Sequence, residues 1–203
     1  SKTSNNFNGN ITYTGSSTVS AAALTVNTGN VSKVYDGSTS MSGLTMGLST
    51  VVPGDVVTVS GSGSFAQAGA GSNVAYTIAG LALGGADAGN YMLTSNHATT
   101  TGNITPKNLL ASFTATDKIY NGNTIANVTG YSTDVMTGDT VTFTATSANF
   151  NNKNVGTAKT VFITGISLGG ADGGNYALQS NTASTHANIT TKNLTASFTA
   201  SNK

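Results

Sequence analysis

The chain is a tandem repeat, and that limits what it can fold into more than any other feature. Lys33-Val34-Tyr35-Asp36-Gly37 returns as Lys118-Ile119-Tyr120-Asn121-Gly122, and Leu83-Gly84-Gly85-Ala86-Asp87 returns as Leu168-Gly169-Gly170-Ala171-Asp172, both 85 positions later. Phe65 with Phe150, Asn90-Tyr91 with Asn175-Tyr176 and Ile104-Thr105 with Ile189-Thr190 keep the same offset. A third copy opens at Leu194-Thr195-Ala196-Ser197-Phe198, matching Leu109 onward, and Lys203 is the partner of Lys118. One slip occurs: Gly54-Asp55 aligns with Gly138-Asp139 at 84, which places a one-residue length change in a nearby loop.

A unit of this length must bury its own core. It matches a small domain and exceeds the roughly 20–50 residues of the common solenoid and propeller repeats. The expected organisation is therefore beads on a string. Residues 1–23 form the tail of an upstream module or a linker, 24–108 the first module, 109–193 the second, and 194–203 the first strand of a third.

Within the unit, alternation points to strands. Val141, Phe143 and Ala145 interleave with Thr140, Thr142, Thr144 and Thr146, and Leu109, Ala111, Phe113 and Ala115 interleave with Ser112, Thr114 and Thr116, the period of a half-buried strand. Val161-Phe162-Ile163, counterpart of Tyr76-Thr77-Ile78, is apolar at consecutive positions and predicts a more central strand. Tyr176 with Leu178 and Ala187 with Ile189 add two more short strands, giving six or seven per unit. Thr, Ser, Asn and Gly supply about half of the chain, favouring strands and tight turns, and no segment has helical periodicity. The fold class is all-β: two small β-sandwich domains of immunoglobulin-like type, end to end. A β-grasp module is the alternative and would need a helix. The spacing Leu83, Asp87, Tyr91, Leu93, repeated as Leu168, Asp172, Tyr176, Leu178, favours the sandwich, because Tyr91 and Tyr176 then stand where a tyrosine turns its hydroxyl back onto loop backbone.

The inventory for chemistry is thin. The net charge is +1, all eight basic residues are Lys, all seven acidic ones are Asp, and Arg, Glu, Trp and Cys are absent. Nucleic-acid binding needs a clustered cationic face and anionic membranes select a polybasic stretch; neither is present, and no apolar run approaches the about 18 residues of a membrane span. His97 and His186 do not recur between copies, so no triad is assigned and no enzymatic activity is expected. Calcium is the one metal with candidate ligands, Asp87 with Asn90 and Asp172 with Asn175. The preferred reading of those aspartates is capping of turn amides ahead of the tyrosine, with no cofactor. Asn-x-Ser/Thr triplets at Asn10, Asn103, Asn127, Asn188 and Asn193 are read as a consequence of composition.

Taken together, Lys-x-Tyr-Asp-Gly, Gly-Asp-x-Val, the Lys153-Asn154-Val155-Gly156 run, Leu-x-Gly-x-Asp-x-x-Asn-Tyr and a closing Ile-Thr-Pro-Lys resemble the YDG repeat of bacterial surface proteins from Leu24 to Lys203. The tripeptide is Tyr35-Asp36-Gly37 in the first copy and Tyr120-Asn121-Gly122 in the second. The exchange of Asp for Asn keeps turn chemistry and removes the charge, which argues against a metal or catalytic role there. The resemblance implies a place in very long exported proteins similar to filamentous-haemagglutinin-like adhesins, at the bacterial cell surface, outer-membrane associated or secreted. The implied role is a monomeric stalk that extends a distal adhesive region for adhesion or biofilm formation. Its partners would be neighbouring repeats of the same chain, with a surface receptor or matrix component engaged elsewhere in the parent protein. The competing expectation is a module that itself binds glycan, ice or host protein, for which the threonine face at Thr140, Thr142, Thr144 and Thr146 is the candidate surface.

Overall fold

The computed structural model describes residues 18–203; the expectation for 1–23 falls largely outside them. The first module consists of β1 (Ala22–Leu24), β2 (Val26–Thr28), β3 (Ser32–Val34), β4 (Met46–Leu48), β5 (Thr58–Phe65), β6 (Gly71–Gly84), β7 (Tyr91–Leu93) and β8 (His97–Thr105). The second consists of β9 (Lys107–Leu109), β10 (Ser112–Ala115), β11 (Lys118–Ile119), β12 (Val128–Tyr131), β13 (Thr142–Thr144), β14 (Ser147–Phe150), β15 (Gly156–Thr164), β16 (Ser167–Gly169), β17 (Tyr176–Leu178) and β18 (Thr182–Thr190). The protein is all-β, with two similar domains in tandem; two three-residue 3₁₀ turns, Ala88–Asn90 and Gly173–Asn175, are the helical content among the described residues. Strands outnumber the expected six or seven because the chain bends inside what alternation reads as single strands.

Each module is a curled sheet. Its centre is a four-stranded mixed sheet, ordered β3-β8-β6-β5 in the first module and β11-β18-β15-β14 in the second. The edge strands β3 and β11 run parallel to β8 and β18, and the other pairings are antiparallel. Short ladders continue the curl: β1 parallel to β7 and β2 antiparallel to β4, then β9 parallel to β17, β10 antiparallel to β12 and β13 antiparallel to β16.

The curl encloses one face of each sheet. On β6, Val74, Tyr76 and Ile78 are buried while Ala75, Thr77 and Ala79 are exposed, and on β15 the buried pair is Val161 and Ile163. Each such aliphatic side chain contributes about 1.5–3 kcal/mol by leaving water. β15 is central in its sheet, as the apolar run suggested, but that run is not buried on both faces. Phe162 points outward and is 55% exposed, because the outer face of the sheet carries no covering layer.

Copies differ where packing compensates. Tyr76 is fully buried and stands edge-on to Phe65, ring centroids 4.8 Å apart. Its diagonal neighbour on β5 is Gly63, where a Cβ would fall 2.3 Å from the phenol oxygen. In the second module the corresponding pair is Val161 and Ala148, a smaller side chain facing a larger one.

Strand pairing sets the module boundaries slightly ahead of those read from the repeat. Lys107 and Asn108 pair with Tyr176 and Ala177 and so belong to the second module, as Ala22 and Ala23 belong to the first. Residues 194–203 form no strand and are exposed. Their counterparts in the second module, Ser112–Ala115, are held by Val128–Tyr131, and the 203 residues include no third-copy equivalent of that partner.

Candidate functional site: the junction between repeats

Only Pro106 separates β8 from β9, so one module's last strand leads directly into the next module's first. The side chains gathered at this junction are those that define the repeat.

The Lys-x-Tyr-Asp-Gly loop follows β3. Lys33 Nζ donates to Asp36 Oδ1 (2.5 Å), the Ser38 carbonyl (2.8 Å), Ser38 Oγ (3.0 Å) and the Ser40 carbonyl (2.7 Å). Asp36 Oδ1 also accepts the Ser38 N–H and hydroxyl, both at 2.9 Å. Although desolvation pushes the Asp36 carboxyl upward, the bonds from Lys33 and Ser38 hold it below the ordinary carboxylate range. In the second copy Lys118 Nζ donates to the Asn123 carbonyl (2.8 Å), Asn123 Oδ1 (2.9 Å) and the Ile125 carbonyl (3.0 Å), and lies 5.5 Å from the Phe150 ring centroid. Asn121 Oδ1 accepts the Asn123 N–H. The Asp and the Asn therefore both close the turn by accepting the N–H two residues on, while the lysine is held by Asp36 in the first copy and by Asn123 in the second. Gly37 and Gly122 complete it at φ +74° and +83°, a region that disfavours residues with a Cβ.

That turn aims the tyrosine. The Tyr35 N–H donates to the Thr105 carbonyl at 2.8 Å, and Tyr120 does the same to Thr190. Tyr35 then reaches into the second module, where its hydroxyl donates to Asp139 Oδ2 at 3.0 Å and its ring meets Tyr176 edge-on at 5.6 Å. Asp139 Oδ2 also accepts the Tyr176 hydroxyl at 2.5 Å, and the Tyr176 oxygen accepts the Met136 N–H at 2.9 Å. Beside this cluster the Ala70 N–H donates to Asn175 Oδ1 at 2.9 Å. Tyr35 is 5% exposed. Burial first, then the Asp139 bond and the charges around it, push the Tyr35 phenol up to about 12. Tyr176 is raised by burial and by Asp139, against the Met136 N–H. Phenols held protonated on a carboxylate oxygen that accepts both of them join two surfaces.

The Leu-x-Gly-x-Asp-x-x-Asn-Tyr segment supports the acceptor side. Asp172 Oδ2 accepts the Thr140 N–H, and Asp87 Oδ2 the Val56 N–H, each at 2.8 Å. These carboxylates thus tie the loop carrying Asp139 or Asp55 to the loop carrying the tyrosine. Gly85 and Gly170, at φ +98° and +90°, lie against the same loop of their own modules; a Cβ would fall 2.2 Å from the Val56 carbonyl or 2.4 Å from that of Thr140. Of the calcium candidates, Asp87 and Asp172 face backbone amides, Asn175 faces Ala70, and Asn90 is exposed. Among the described residues no three His, Cys, Asp or Glu side chains are grouped to hold a metal.

Tyr91 and Tyr176 hold loop backbone as the spacing suggested, but through residues 39 and 40 positions away. The carboxylate they bind belongs to the Gly-Asp-x-Val motif, to which sequence reasoning gave no role; the signal was a Gly-Asp pair recurring at 84 while its tyrosine partners recur at 85. Also missed were Asn103 and Asn188, whose Oδ1 atoms accept the Asn73 and Ala158 N–H groups at matching bulges. His97 and His186 are exposed and neither hydrogen-bonds a carboxylate. Thr140, Thr142, Thr144 and Thr146 are all exposed, alternating with half-buried Val141, Phe143 and Ala145, but the backbone pairing changes along the row. β13 pairs with β16, β14 pairs with β15, and Thr146 Oγ1 turns to the Gly165 carbonyl.

The YDG domain matches residues 20–101 and 105–185, once per module. The chain belongs to the YDG family. Its two YDG domains meet at a junction in which the family's name-giving tyrosine is the connecting side chain. Comparison with curated proteins and with solved structures finds no match.

Proposed function

We propose that this pair of YDG domains is a spacer segment of a large secreted bacterial adhesin, extending a distal adhesive region from the cell surface for adhesion or biofilm formation. The observation that carries this reading is the Tyr35–Asp139–Tyr176 junction. Motif residues are spent on joining one repeat to the next, and a one-residue connection leaves little slack. A spacer needs both properties, since stiffness between beads sets reach. Absence of cysteine suits export without disulfide chemistry, and the hydroxyl- and amide-rich outer faces keep a long array soluble.

The test is mechanical and geometric. Arrays of two, three and four repeats should give small-angle scattering with a longest dimension that grows in proportion to repeat number. Pulling such an array should release contour in equal steps of roughly 300 Å, from 85 residues at about 3.5 Å each. A radius of gyration growing only as the cube root of repeat number would overturn the spacer reading.

A further inference from the structure

Because the junction is built from repeated residues, each half of it exists twice. The donor half is Tyr35 with Ala70 in the first module, and its counterparts in the second are Tyr120 and Val155. The acceptor half is Asp139, Tyr176 and Asn175, matched in the first module by Asp55, Tyr91 and Asn90. One donor and one acceptor meet inside this chain; the other two stand at its opposite ends.

The second acceptor is already assembled. The Tyr91 hydroxyl donates to Asp55 Oδ2 at 2.6 Å and its oxygen accepts the Val52 N–H at 3.1 Å, the geometry of Tyr176, Asp139 and Met136. Among the described residues Asp55 receives no second phenol and the Asn90 side chain has no hydrogen bond. Val52 is 55% exposed, whereas Met136 at the occupied site is half-buried. The second donor is assembled too. Tyr120 is anchored to Thr190 as Tyr35 is to Thr105, yet its ring is only half-buried, and Val155 is 48% exposed where Ala70 meets Asn175.

We propose that both ends are docking surfaces for further YDG repeats: Asp55 accepts the motif tyrosine of a preceding repeat, and Tyr120 donates to the Asp139 counterpart of a following one. The occupant follows from the chain itself. The same pair of surfaces is joined once internally, and residues 194–203 continue the repeat beyond the second module. The exchange of Asp36 for Asn121 does not affect this recognition, since that side chain serves the lysine turn while the tyrosine crosses the junction. This inference rests on the spacer reading and specifies its coupling.

The full chain can be extended to test it. Lys203 corresponds to Lys118, so appending a copy of residues 119–193 after Lys203 completes a third repeat in register. The protein has no cysteine, so Val155→Cys combined with a cysteine at the appended counterpart of Asn175 reports docking by disulfide trapping. Ala70→Cys with Asn175→Cys in the same chain calibrates the rate at an occupied junction. The expected result is trapping at the calibrated rate, slowed about tenfold by Tyr120→Phe, the loss of one hydrogen bond to a charged group; Tyr131→Phe, at an exposed phenol on β12 with no hydrogen bond among the described residues, leaves it unchanged. Trapping tenfold slower than the calibration, or indifferent to Tyr120→Phe, overturns the proposal. Urea unfolding of the reduced proteins identifies any variant that loses its fold, and Tyr120→Leu then replaces Tyr120→Phe as the hydroxyl-free probe. Scattering separates the two readings: an extended three-repeat particle without trapping removes the docking and leaves the spacer, while a compact particle removes the spacer.

Discussion

Replacing Asp139 by Asn removes the junction's charge while keeping an oxygen of nearly the same shape in place. Two phenols donate to that oxygen, at 3.0 Å from Tyr35 and 2.5 Å from Tyr176. Hydrogen bonds to ionised acceptors are worth about 1.5–3 kcal/mol and neutral ones about 1 kcal/mol. Two such bonds on a half-buried group therefore lose about 1–3 kcal/mol on substitution. The more specific signature is alkaline. The Tyr35 phenol is raised to about 12 by burial first and by Asp139 second. A raised folded-state value means that the stabilisation is complete below the ordinary phenol value near 10 and is lost as pH rises through 12. Asp139→Asn should bring Tyr35 and Tyr176 part of the way down, since burial remains, and move the alkaline loss of stability to lower pH. NMR titration of labelled tyrosine rings resolves the seven phenols. Asp55→Asn is the internal control: it should lower Tyr91, whose rise comes first from the Asp55 bond, and leave Tyr35 in place. If Asp139→Asn leaves the Tyr35 titration unmoved, the carboxylate is not the partner of the crossing tyrosine and does not join the two modules.

Two further outcomes test the packing that supports the site. Gly63→Ala should cost about 1–3 kcal/mol by overpacking, since its Cβ falls within 2.4 Å of the Tyr76 ring; adding Tyr76→Val, which reproduces the Ala148 and Val161 pair of the second module, should recover most of the loss in a urea double-mutant cycle. Ala158 stands at φ +46°, so Ala158→Gly should stabilise the second module by about 0.5–1 kcal/mol, read as a shift in urea midpoint at constant slope.

The repeat, the all-β class and the turn residues were legible because each is a local or periodic property. Alternation along β6 reports which side chains face the core, and positive-φ turns select glycine one position at a time. Phe162 shows the limit. An apolar run is the same letters whether a sheet is covered on one face or two, and only the assembled curl leaves that ring in water. The threonine row shows another limit: alternation from Thr140 to Thr146 reports which side chains face water, and not the bend that sends β13 and β14 to different partners.

The candidate site divides along the same line. The recurrence of Tyr35, Gly54-Asp55 and Asn90-Tyr91, and the exchange of Asp36 for Asn121 without loss of the turn, are written in the order of residues alone. Tertiary structure alone decided that Tyr35 belongs with Asp139 and Tyr176, 104 and 141 positions onward. A hydrogen bond between modules depends on where two surfaces meet in space. Nothing in the spacing of a tyrosine encodes whether it points back into its own repeat, as Tyr91 does, or across into the next, as Tyr35 does.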